Sequence, residues 1–165
     1  NEKKNWVLVG MPACGKSTIG VILAKEIGYS FLDTDLVIQK NERMKLSEII
    51  DKRGLKEFVS LEEKHILGIS CTRHVIATGG SVIYGSSAME HLRWNGRIIH
   101  LDISFENLER RLKDIKARGV AISEGQTLFS LYEERQVLYR KYADITVNCD
   151  LKNPSQVLED ILGKV

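Results

Sequence analysis

The chain has 165 residues, 43% of them hydrophobic, which suits one domain with a substantial core and is too little for two. Its 24 basic and 22 acidic residues are interspersed and sum to +2, so no basic face exists for gripping a nucleic-acid backbone. Cys14, Cys71 and Cys149 are odd in number and lack metal-binding spacing, and no apolar run reaches membrane-spanning length; a disulfide framework, a zinc site and a membrane anchor are all unexpected, and a reducing cytoplasm fits best.

The first predicted strand, 6–9, runs directly into Gly10-Met11-Pro12-Ala13-Cys14-Gly15-Lys16-Ser17-Thr18, a full G-x-x-x-x-G-K-[ST] loop, and a helix is expected over 16–27. Such a loop turns successive N–H groups inward on an anion and adds the positive end of the following helix. Lys16 is placed to reach the β- and γ-phosphates of a nucleotide and Ser17 to hold Mg²⁺. Cys14 reads either as a small loop residue or as a thiol activated by the helix N-terminus.

Strands are expected next at 31–32, 75–77, 98–101 and 145–147, with helices over 35–40, 46–52, 55–70, 86–94, 104–115, 127–142 and 154–163. The alternation predicts an α/β fold of three layers, α/β/α, around a five-stranded parallel sheet, in one domain spanning 1–165. Ser104 and the pair Asn153-Pro154 are helix-start signals. Residues 34–62 form a mostly helical insertion without a strong core pattern, read as a substrate-holding unit, and 112–125 a polar, glycine-flanked lid. Asp33-Thr34-Asp35 follows the second strand at the edge of the sheet where ligands gather. In an extended segment residues i and i+2 share a side, so both carboxylates are expected to face the cleft, one toward Mg²⁺ and one as base for an acceptor hydroxyl. Either aspartate alone also suits a helix cap.

With these motifs in order, the chain resembles the shikimate kinases, within the wider group of P-loop kinases that act on small molecules. Beyond the phosphate loop and the Asp33-Asp35 pair, the likeness is carried by Gly54-x-x-x-Phe58-x-x-x-Glu62, Ala77-Thr78-Gly79-Gly80, Arg111 and Arg118 around the lid, Glu134-Arg135-x-x-x-Tyr139, Tyr142-Ala143-Asp144 and Asn153-Pro154-Ser155. The resemblance implies transfer of the γ-phosphoryl group of ATP, with Mg²⁺, to the 3-hydroxyl of shikimate, by a monomer. It implies that Asp35 holds ring hydroxyls and serves as base and that Asp33 supports the magnesium shell. Gly79 and Gly80 approach the substrate, and Arg135 pairs with its carboxylate. Arg118 neutralises the transferring phosphoryl, while Arg111, Asn153 and Pro154 frame the adenine.

The sequence departs from the family pattern around the acceptor. After the phenylalanine of the Gly54…Phe58…Glu62 motif, shikimate kinases place an arginine that helps clamp the carboxylate; here the position is Val59. Losing such a partner costs about a hundredfold in affinity if nothing compensates. Arg53 and Lys56 lie nearby in sequence. The third glycine of the family is Ser81, and its Arg-Pro-Leu-Leu lid reads Arg118-Gly119-Val120-Ala121. The nucleotide-facing half is intact and the acceptor-facing half is altered, which leaves shikimate with a rebuilt clamp or another small hydroxylated metabolite as the acceptor.

Overall fold

The computed structural model describes residues 3–114 and 124–165. Five strands, β1 (Asn5–Val9), β2 (Ser30–Asp33), β3 (His74–Ala77), β4 (Gly96–Asp102) and β5 (Ile145–Asn148), form a parallel sheet in the order β2-β3-β1-β4-β5. Val7-Leu8 on β1 and Ile98-Ile99 on β4 are consecutive pairs and all are fully buried, because helices cover both faces of the sheet. The order reverses between β3 and β4 around β1, so the loop after β1 opens at the carboxyl edge where such sheets bind ligands.

Among the described residues seven helices surround the sheet: α1 (Lys16–Ile27), α2 (Thr34–Glu42), α3 (Leu46–Leu67), α4 (Ser86–Asn95), α5 (Phe105–Asp114), α6 (Leu128–Tyr142) and α7 (Pro154–Lys164). The two helices expected over 46–52 and 55–70 are one element, broken within α3 at Gly54, whose φ of 80° and ψ of 166° are closed to residues with a side chain. Asn153 starts α7 as expected, accepting from Gln156 N–H at 2.9 Å in a reciprocal capping box with Pro154 behind it. Ser104 Oγ accepts from Asn107 N–H at 3.3 Å at the start of α5. Among the described residues no helix is long and apolar enough to cross a membrane.

Two expectations need correction. Residues 34–62 do have a core of their own: Ile38, Ile49 and Phe58 are buried together, separate from the main core under the sheet. The segment after β2 is not extended either. Helix α2 begins at Thr34, so Asp33 is its N-cap, accepting from Asp35 N–H at 2.9 Å, and Asp35 lies in its first turn. A short 3₁₀ turn at Val82–Tyr84, unanticipated in the sequence, follows the Gly79-Gly80 turn.

Candidate active site

The phosphate loop joins β1 to α1. Ile19 N–H bonds Gly15 O at 2.8 Å and opens the helical ladder, and no side chain caps the end. The N–H groups from Gly15 to Thr18 therefore precede the ladder and carry the positive end of the helix dipole. Lys16, only 8% exposed, lays its ammonium across the loop, donating to Gly10 O at 2.7 Å and Met11 O at 2.9 Å. No carboxylate lies within ion-pair distance of it among the described residues. Arg111 braces the loop from α5, its Nη1 donating to Ala13 O at 3.0 Å.

Ser17 Oγ donates to Asp33 Oδ2 at 3.0 Å, so the cap of α2 is also tied to the first turn of α1. A hydroxyl and a carboxylate beside a bed of amides form the oxygen set that Mg²⁺ takes when phosphate oxygens complete its shell. Asp35 stands behind them. Burial, and then the charge of Asp33, push its carboxyl up to about 6, with Lys16 pulling the other way. It is therefore mostly ionised at neutral pH and close to the range that serves a general base.

Opposite the loop, the turn after β3 brings backbone close to these carboxylates. A Cβ on Gly79 would lie 2.8 Å from both Asp35 Oδ1 and Glu62 Oε2, and one on Gly80 would lie 2.9 Å from Arg135 Nη1. Tyr139 fixes the turn by donating to Gly80 O at 2.5 Å. Glu62, 2% exposed, accepts from Ser81 Oγ at 2.9 Å through Oε1, while its Oε2 has no hydrogen-bond partner. Burial pushes its carboxyl up to about 7, against the hydrogen bond from Ser81. Arg135, 2% exposed on α6, also has no carboxylate within ion-pair distance among the described residues.

Lys16, Ser17, Thr18, Asp35, Glu62, Gly79, Gly80 and Arg135 line one cavity of about 580 Å³, and a Cβ on Gly80 would meet both Pro12 of the phosphate loop and Arg135 Nη1 at 2.9 Å. Ala13 and Gly15 also border it, whereas Gly10, Cys14, Arg111, Asn153 and Pro154 do not, and the Asn153 side chain is engaged in its capping box. Cys14 is buried, its sulfur 3.7 Å from Lys16 Nζ. Arg118 and most of the 112–125 lid lie outside the described residues. Val59 faces a second cavity, and Arg53 is turned to Glu42 at 3.6 Å. Sequence reasoning assigned no role to Glu62, although its motif was visible, and gave no hint of Tyr84, which bonds Arg135 from 51 positions away.

A phosphate loop, an acidic pair at the next strand end and a buried arginine across one cavity define a P-loop kinase of small molecules. A shikimate kinase family model matches residues 12–165. Over 163 residues the chain is 37% identical to the shikimate kinase of Sulfurihydrogenibium sp., covering 98% of each. It superposes with a TM-score of 0.89 on the shikimate kinase of Acinetobacter baumannii in complex with shikimate, at 29% identity, covering 98% of this chain and 92% of that one. It is also 32% identical over 165 residues to human threonine synthase-like 1, of whose length the match covers 22%. The chain belongs to the shikimate kinase family.

Proposed function

We propose that the protein transfers the γ-phosphoryl group of ATP to the 3-hydroxyl of shikimate, giving 3-phosphoshikimate and ADP. The observation that carries this reading is a single cavity lined by two buried cations, Lys16 and Arg135, neither with a carboxylate within ion-pair distance among the described residues. A buried charge without a counter-charge is costly, so each calls for an anion. The amides around Lys16 suit the polyphosphate, and the planar guanidinium suits a carboxylate.

Asp35 borders the same cavity and accepts the proton of the acceptor hydroxyl as that oxygen bonds to the γ-phosphorus. The bond from the γ-phosphorus to the β,γ-bridging oxygen breaks, and the electron pair leaves on ADP. Lys16 and the α1 amides offset negative charge on the phosphates throughout. Ser17 and Asp33 are the residues that would hold Mg²⁺, which would supply positive charge against the phosphates. Arg118 acts on the transferring phosphoryl, a role that rests on its place in the family pattern.

The alternative acceptor, another small hydroxylated metabolite, is favoured by one observation: Val59 presents an apolar surface where the family pattern has a cation. The test is ADP release from MgATP by the purified protein with shikimate, quinate, gluconate, homoserine or no acceptor. Saturable turnover confined to shikimate is the expected result. Turnover with another acceptor, and none with shikimate, overturns the shikimate assignment.

A further inference from the structure

Arg135 is held from behind by a chain of groups that leaves its front face free. Its Nε donates to Tyr84 Oη across a long 3.4 Å, and its guanidinium carbon sits 5.4 Å from the centroid of the Tyr84 ring. Tyr84 Oη in turn donates to Glu134 Oε2 at 2.6 Å, and Gln126 Nε2 donates to the same oxygen at 3.3 Å. Nε is bonded to Tyr84 and the guanidinium also meets the Tyr139 hydroxyl, while Nη1 lies beside Gly80 at the cavity wall.

The direction of these bonds matters. With its proton given to Glu134, the Tyr84 oxygen turns a lone pair to Arg135, and the carboxylate offsets the buried cation through the phenol without occupying the guanidinium. The ring adds a cation–π contact that fixes the plane of the fork. Tyr84 and Val59 border the same cavity of about 640 Å³, with Leu55 and Leu131 in its wall. The aromatic side chain thus adjoins the space that the arginine of the family pattern would enter.

We propose that Tyr84 is the positioning residue that replaces the missing second arginine: it orients Arg135 so that one guanidinium meets the acceptor carboxylate through two parallel hydrogen bonds. The inference rests on the kinase reading above and on a carboxylate-bearing acceptor. A guanidinium on a flexible stem loses rotamer freedom when it binds, and an arginine already held in plane loses less.

The test is steady-state kinetics of Tyr84→Leu, Tyr84→Phe and the double variant Tyr84→Leu/Val59→Arg, with shikimate and ATP each varied. Tyr84→Leu is expected to raise the KM for shikimate about tenfold, the scale of one weakened charged hydrogen bond, with the KM for ATP unchanged. Tyr84→Phe keeps the ring and falls between it and wild type, and Val59→Arg restores part of the loss. An unchanged shikimate KM in Tyr84→Leu, or a parallel rise in the KM for ATP, overturns the role of Tyr84 while leaving the kinase reading in place. Wild-type protein inert toward shikimate overturns both.

Discussion

The cavity places two carboxylates side by side in environments that separate their tasks. Asp35 is pushed up to about 6 and Glu62 to about 7, both chiefly by burial. In the proposed reaction Asp35 is the base and works only when ionised, so kcat/KM is expected to rise with pH through about 6 and then level. Asp35→Asn removes that limb and lowers kcat by roughly 10²- to 10⁴-fold while ATP still binds; pH-rate profiles and nucleotide titration of the variant check both parts. Glu62, like Asp35 at lower pH, also bears on stability. Below its ordinary value of 4.5 it is protonated folded or unfolded; between 4.5 and about 7 the unfolded chain ionises while the native site keeps its proton. Stability therefore falls with rising pH across that window, by on the order of 3 kcal/mol for this group. Glu62→Gln flattens the fall, which urea unfolding at pH 5 and pH 8 measures; an equal fall in the variant removes Glu62 as the source.

Helix boundaries were legible in the sequence wherever a backbone constraint coincided with a chemical signal. Asn153-Pro154 marks the start of α7, and Gly54 separates the two halves of α3. What escaped has no signature in composition or periodicity. Val82-Ile83-Tyr84 has the composition of a strand but forms a 3₁₀ turn, since Gly79 O accepts from Val82 N–H and Ser81 O from Tyr84 N–H. Arg135 is assigned to the acceptor only through the family pattern, and its contacts with Tyr84 and the Gly80 turn were not legible. The Asp33-Asp35 pair was placed at the correct strand end for an incorrect reason, because a cap, not extended backbone, sets its geometry. Gly54 shows how an element serves the site. A Cβ there meets nothing within 4 Å, so Gly54→Ala tests backbone strain alone. Its positive φ makes the variant less stable by about 1–3 kcal/mol. Relief of that strain by straightening α3 also moves Leu46 and Ile50 relative to Phe58 and Glu62 in the cavity wall, raising the KM for the acceptor more than for ATP. Denaturant midpoints and the two KM values test the pair of effects; a stable variant with unchanged constants refutes both.

At the scale of the molecule, two cores divide the labour. The larger one joins the sheet to α1, α4 and α7 and carries the phosphate loop on its most buried strand, β1. The smaller one consists of Ile38, Ile49 and Phe58, with partly buried neighbours such as Met44 and Leu55, and supports the wall that faces the acceptor. It was not legible in advance because α2 and the two arms of α3 give it one buried residue each, and its other apolar positions, such as Leu46, Ile50, Leu55 and Leu61, are only partly buried. A core this small buries little apolar area, so its local opening costs less than opening of the whole molecule. Amide hydrogen exchange is therefore expected to be faster over 34–53 than in β1 and β4. Saturating shikimate should slow exchange over 34–53 more than a non-hydrolysable ATP analogue does, since Gln39, Leu46 and Ile50 line the cavity with the Gly79-Gly80 turn and the proposed acceptor would join them. Exchange over 34–53 as slow as that of β1 contradicts two separate cores. Protection there by the nucleotide alone would place the triphosphate, and not the acceptor, against the smaller core.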